Sequence, residues 1–342
     1  MRAALRLLAL MLVLSVSFGT GAGHAQAPVP WTDFKGRFLR DDGRVIDNGN
    51  DGVSHSEGQG FGMLLAVAAD DRRAFSRIWR WTRDHLRRKD DALFSWRYVP
   101  GAENPVSDPN DAADGDIFIA WALMRGAARW QDPELAAAAA EIRAAIRQKL
   151  VVEASGRFLL LPGVEGFRVE GKDGKPGDVI VNPSYLVFPA FADFHAAAPA
   201  EGWNRLIADS LALLRDARFG RHGLPPDWLV VTGDGRLAPA PGWAPRFGYD
   251  ALRVPLYLAW GRGPAEQFDA LHAYFAARIE NLPAWVDLAT GATADYQAGR
   301  GMRAVAGLVL GVRDVAAEVP RSEDDYYSAA IALLAAAAWH DR

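Results

Sequence analysis

The sequence predicts an all-α chain folded as an (α/α)6 barrel, six helical hairpins closed into two concentric rings. Three observations point there. The 342 residues are half hydrophobic and include no cysteine, so a large core has to hold the chain without disulfides. Apolar segments alternate with amphipathic ones along the length. Neither a fixed-period repeat, which a helical solenoid would show, nor a linker that would split the chain is present.

The segments at 58–69, 115–130, 185–195, 251–261, 302–312 and 326–339 are apolar on nearly every side and rich in Ala and Gly. A helix of that kind must be buried all round. The segments at 32–40, 72–87, 133–149, 203–217 and 264–279 place Arg, Asp and Glu on one side and apolar residues at helical spacing on the other. Asp132-Pro133 reads as an N-cap followed by a first-turn proline, and Pro264 predicts a second start of the same type. Fully buried helices alternating with half-buried ones make an inner ring inside an outer one. Residues 157–181 break the pattern: with Lys172-Asp173-Gly174 as turn chemistry they read as a small β-hairpin excursion.

Residues 1–25 read as a secretory signal: Arg2 and Arg6, a run from Leu7 to Val16 too short to span a bilayer, then small residues up to Ala25. The remainder, 26–342, reads as a single catalytic domain without a membrane span, exported to the periplasm or secreted. The net charge of −4 and the lack of a basic stripe argue against nucleic acid as a partner. The seven His show no metal-ligand spacing, and neither a GxSxG elbow nor a GxxxxGK[ST] loop occurs. Asp47 to Gly58 superficially matches a calcium loop, but Gly49 stands where a ligand is required and Glu57 comes one position early. No metal or cofactor is expected.

Polar residues cluster just before the buried segments: Ser56-Glu57, Asp111 to Asp116, Asn182-Pro183-Ser184-Tyr185 and Tyr249-Asp250. In a ring of hairpins all inner helices start at one end, so these sets converge on one mouth. The competing reading is helix capping, the ordinary occupation of Ser and Asp at such positions. Two carboxylates at one mouth suit glycoside hydrolysis, which needs a proton donor and a second carboxylate. A helix N-terminus favours an ionised carboxylate. That suits Asp250 as a base and opposes Glu57 as an acid, so burial and a neighbouring charge such as Asp114 must raise Glu57. His55, beside Glu57, reads as a hydrogen-bonding loop residue. Of the twelve Trp, the loop residues Trp96, Trp228, Trp243 and Trp285 suit either packing or stacking on sugar rings.

These same residues resemble glycoside hydrolase family 8, and within it the periplasmic endo-β-1,4-glucanases (cellulases) of bacterial cellulose-synthesis operons. The likeness runs through Gly43-Arg44-Val45-Ile46-Asp47, Ser56-Glu57-Gly58-Gln59-Gly60-Phe61-Gly62-Met63 and Asp108-Pro109-Asn110. It continues through Ala112-Ala113-Asp114-Gly115-Asp116, Asn182-Pro183-Ser184-Tyr185, Pro226-Asp227-Trp228, Tyr249-Asp250-Ala251-Leu252-Arg253 and Tyr326-Tyr327. The resemblance implies an (α/α)6 barrel, an inverting mechanism without metal, and a β-1,4-glucan chain as substrate. It implies Glu57 as proton donor, Asp250 as the base that activates water, and Asp114 as the residue that holds the distorted sugar. Tyr185 and Arg253 would place the water and the base, with Arg253 keeping Asp250 ionised, and Trp96 and Trp228 would offer stacking rings. It further implies trimming of glucan during cellulose synthesis and export, with room for transient contact with a synthase complex. Ala113 stands where the family usually has Ser or Thr, and Gly126 where it has Ala. Rival readings are the same fold acting on chitosan or mixed-linkage glucan, and a non-catalytic glucan-binding accessory protein.

Overall fold

A computed structural model of the chain describes residues 31–171, 176–316 and 320–341. The segment 1–25, read above as a secretory signal, and the Lys172-Asp173-Gly174 turn lie outside the described residues. Twelve α-helices alternate between two environments among the described residues. The inner set is α2 (Ser56–Ala68), α4 (Ala113–Trp130), α6 (Phe188–Ala197), α8 (Arg253–Trp260), α10 (Arg300–Leu310) and α12 (Tyr326–His340). Every residue of α8 is buried, and α12 is buried along most of its length, as their all-apolar sequences require. Inner neighbours pack in chain order from α2 to α12, and α12 packs back on α2, which closes the ring.

The outer set is α1 (Trp31–Phe38), α3 (Arg72–Leu86), α5 (Pro133–Lys149), α7 (Trp203–Asp216), α9 (Asp269–Ala276) and α11 (Arg313–Ala316). Helix α3 shows the logic: Phe75, Ile78, Trp81 and Leu86 turn inward while Arg72, Arg73, Arg80 and Arg83 face solvent. Asp132 caps α5 as expected, accepting from the Glu134 and Leu135 amides at 3.1 and 3.3 Å. Pro264 differs from expectation. It precedes a short 3-10 turn, Ala265–Gln267, and α9 begins only at Asp269. The buried Gln267 side chain donates to the Leu211 carbonyl at 2.9 Å and pins that turn to α7.

The predicted β excursion divides in two. Strands β3 (Val151–Ala154) and β4 (Arg157–Leu160) form their own hairpin, so 157–160 pairs backward. Strands β5 (Arg168–Val169) and β6 (Asp178–Val181) join β7 (Leu229–Val231) and β8 (Leu237–Pro239) in a four-stranded antiparallel sheet, ordered β5-β6-β7-β8. Pairing with a segment some fifty residues downstream leaves no local sequence signal, which is why one hairpin was expected. At the mouth, β1 (Ser54–His55) pairs with β2 (Arg97–Tyr98), and β9 (Arg246–Phe247) pairs with β10 (Val286–Asp287). No helix among the described residues is long and apolar enough to cross a membrane.

Candidate active site

Close contact of inner helices at their N-terminal ends builds the site. A Cβ on Gly115 would lie 2.0 Å from Ser56 Oγ and 2.7 Å from the Glu57 amide nitrogen. On Gly60 it would lie 2.6 Å from Phe118 Cβ, and on Gly58 2.8 Å from the Tyr326 hydroxyl. Only hydrogen at these positions lets α2, α4 and α12 approach until Glu57 and Asp114 meet. Gln59, wholly buried, fixes the same turn from behind: its Oε1 accepts from the Val45 amide at 2.6 Å and its Nε2 donates to Thr82 Oγ1 at 2.9 Å.

The capping alternative fails for most of these groups. The N-cap positions of α2, α4 and α8 carry no side-chain cap, and Glu57, Asp114 and Asp250 face the mouth. It holds for Asn182, whose Oδ1 accepts from the Ser184 amide at 3.0 Å.

One guanidinium joins the carboxylates. Arg253 Nη1 donates to Glu57 Oε2 and, at 3.3 Å, to Asp114 Oδ2. Its Nη2 donates to Asp250 Oδ1 at 2.7 Å and to Ser184 Oγ at 3.0 Å. Ser184 Oγ in turn donates to Asn182 Oδ1 at 2.7 Å. The side chains of Arg253 and Asp114 are 4% and 2% exposed, against 20% for Glu57 and 33% for Asp250, so the latter two are the groups presented to solvent.

The ionisation pattern departs from expectation. Burial pushes Glu57 up, but the Arg253 charge and a hydrogen bond from Asp114 outweigh it, and Glu57 sits below the usual carboxylate range. Asp114 is held well above that range by burial and by the charge and hydrogen bond of Glu57. The two groups are thus driven apart, Asp114 toward its protonated form and Glu57 toward its ionised form. Arg253 was expected to keep Asp250 ionised; burial, with the Glu57 charge added to it, outweighs the guanidinium and raises Asp250.

The cleft over these groups is also lined by Asp47, His55, Trp96, Tyr185, Tyr249 and Tyr327. Its architecture and sequence agree with known proteins. The sequence profile of glycosyl hydrolases family 8 matches residues 2–341. The chain belongs to that family. It is 41% identical to an endoglucanase of Cellulomonas uda over 84% of this chain and 79% of the relative. It is 41% identical to a probable endoglucanase of Novacetimonas hansenii over 92% of each. The crystal structure of endo-β-1,4-glucanase CMCax from Acetobacter xylinum superposes with a TM-score of 0.86 at 40% identity, covering 92% of this chain and 98% of that one.

In this family 8 glycoside hydrolase, Glu57, Asp114, Tyr185, Asp250, Arg253 and Trp96 all line one cleft. The Trp96 indole donates to Asp108 at 2.8 Å and its ring stacks on His55 at 6.1 Å, while burial lowers the His55 pKa against the opposing charges of Glu57 and Asp47. Trp228 lies outside the cleft. It stands behind Tyr185, edge to face at 6.3 Å, and stacks on Phe167 and Trp243 at 5.8 and 4.8 Å, so its neighbours are protein rings. Ala113 is fully buried and its amide donates to the Pro162 carbonyl at 2.8 Å, which anchors the start of α4 without a hydroxyl. A Cβ on Gly126 would press on Trp130 and Phe75 at 3.0 and 3.2 Å, so the glycine suits those rings.

Sequence reasoning gave no role to Ser184 or Asp227, although both stand inside quoted motifs. Asp227 Oδ1 accepts from the amides of Gly248 and Ala251 at 2.9 and 2.8 Å and so clamps the turn that carries Asp250. Burial, then the Asp250 charge, pushes its pKa up to about 6. Between the ordinary value of about 4 and this raised one the folded state holds the extra proton, so stability falls as pH rises through that window, by up to about 3 kcal/mol. Asp227→Asn keeps an acceptor for both amides and removes the titration. Denaturant midpoints at pH 4.5 and pH 7 should converge in the variant relative to wild type; an unchanged difference would exclude Asp227 as its source.

Proposed function

We propose that this enzyme is an endo-β-1,4-glucanase that hydrolyses cellulose-type chains by single displacement, with Glu57 as general acid and Asp250 as general base. The observation that carries the reading is the sharing of Arg253 by Glu57, Asp114 and Asp250 in one open cleft of the family's barrel. Glu57 and Asp250 grip different terminal nitrogens of the guanidinium without bonding to each other. Single displacement requires the wider spacing, roughly 6.5–9.5 Å, with room for a water between acid and base.

Asp114 is the proton store. In the unliganded enzyme burial and the Glu57 charge favour the protonated form of Asp114. A sugar hydroxyl donating to Asp114 stabilises its carboxylate, and the proton passes to Glu57, which delivers it to the glycosidic oxygen as the bond breaks. Asp250 takes a proton from water attacking the anomeric carbon from the opposite face. Its raised pKa makes it the stronger base. Trp96 stands where its ring can pack on a pyranose face.

The reading extends to location and context: export to the periplasm or beyond, and trimming of glucan during cellulose synthesis, in passing contact with a synthase complex. The basic-then-apolar start of the chain supports export. The chemistry is tested by proton NMR of cello-oligosaccharide hydrolysis. The α-anomer should form first and mutarotate to β; initial release of the β-anomer would exclude inversion.

A further inference from the structure

Among the described residues few aromatic rings are exposed, and each connects to the cleft through ring contacts or a hydrogen bond. Among the described residues the exposed rings are Trp243, Tyr249 and Tyr296, at 38%, 40% and 50%. Tyr249 lines the cleft. Tyr296 adjoins it, the Tyr249 hydroxyl donating to the Tyr296 hydroxyl oxygen at 3.3 Å. Trp243 stands two rings out from the cleft: it stacks on Trp228 at 4.8 Å with 18° between planes, and Trp228 meets the wall residue Tyr185 at 6.3 Å. Phe167 on the far end of that stack is half-buried, so Trp243 is its solvent-facing member.

Single exposed rings scattered over a surface need no explanation, whereas rings gathered at one feature mark binding. The central cleft encloses about 230 Å³. Sites that hold a small ligand usually offer roughly 300–1,000 Å³, so a polymer needs contacts outside this one. A pyranose presents flat C–H faces, and an indole or phenol ring is the side chain that packs on such a face at low entropic cost.

We propose that Trp243 and Tyr296 are outlying sugar platforms that continue the cleft past Tyr185 and past Tyr249 and give the enzyme its grip on long β-1,4-glucan chains. The proposal rests on the glucanase reading and specifies how that reading handles chain length. In this arrangement Trp228 is the support that orients Trp243.

The test is calorimetric titration of cellotriose through cellohexaose into Glu57→Gln enzyme, which spares the ligand, with and without Trp243→Ala or Tyr296→Ala. Affinity should rise with chain length in the parent, and each alanine variant should lose about 2- to 10-fold of that rise. Trp243→Phe and Tyr296→Phe, which keep a ring, should retain most of it. A rise that survives in both alanine variants overturns the platforms alone. So does an equal loss on cellotriose and cellohexaose, which would mean that the rings act by bracing Tyr185 and Tyr249. Absence of binding to any of these sugars by the parent overturns the glucan reading and the platforms together.

Discussion

Glu57→Gln should lower kcat on carboxymethylcellulose by about 10²–10⁴-fold, the range of a positioned general acid. Glutamine has the same shape and can still accept from Arg253, so the fold should persist and thermal melting should change little. Asp250→Asn should cost about as much, for a different reason: its amide cannot take a proton from water. An activated aryl β-cellobioside separates the roles. A nitrophenolate leaves without protonation, so Glu57→Gln should recover most of its rate on that substrate while Asp250→Asn stays slow. Equal losses on both substrates would remove the acid role from Glu57, and a Glu57→Gln enzyme with full cellulose turnover would end the catalytic reading.

Arg253→Lys should be nearly as damaging, although the charge is kept. The guanidinium serves Glu57 and Asp114 from one nitrogen and Asp250 and Ser184 from the other. A single ammonium cannot span both sides. Loss of a buried partner from such a cluster costs about 3–5 kcal/mol when the remaining charges stay unpaired. Here a carboxylate that the ammonium no longer reaches will instead retain a proton, because drawing a cation away from a carboxyl raises its pKa, and Asp250, served by the other nitrogen, is the group exposed to that change. Asp250 must be ionised to act, so the acid limb of the kcat/KM profile should move to higher pH, alongside a drop of about 100-fold or more at neutral pH. A variant with lower stability but an unmoved acid limb would show that Arg253 serves the fold rather than the chemistry.

The helical rings were readable because amphipathicity is a local property. Segments such as 326–339, apolar on all sides, have no choice but the interior, and segments such as 72–87 have one face to hide. The departures occur where a distant partner intervenes. The start expected at Pro264 yields to a short turn pinned to α7 through Gln267. The helix expected from Tyr185 begins at Phe188, after a 3-10 turn over Pro183–Tyr185 capped by Asn182. Strand β4 turns back to β3, and β6 finds β7 across the whole of α6 and α7.

The membership of the site was legible in the same manner, since polar residues that start inner helices must meet at one end. The ionic state of the site was not. Arg253 stands three residues from Asp250, and its bond to Asp250 follows from helical spacing; its bond to Glu57 spans 196 positions. The amino-acid order by itself thus determined which helices are buried, how many rings they form and which carboxylates look into the mouth, because periodicity and burial act over neighbouring residues. Only the tertiary structure decided which of those carboxylates is raised and which lowered, and which tryptophan faces solvent. Coulomb interaction and desolvation depend on distances that close contact of glycine-lined helices sets, and no spacing along the chain encodes them.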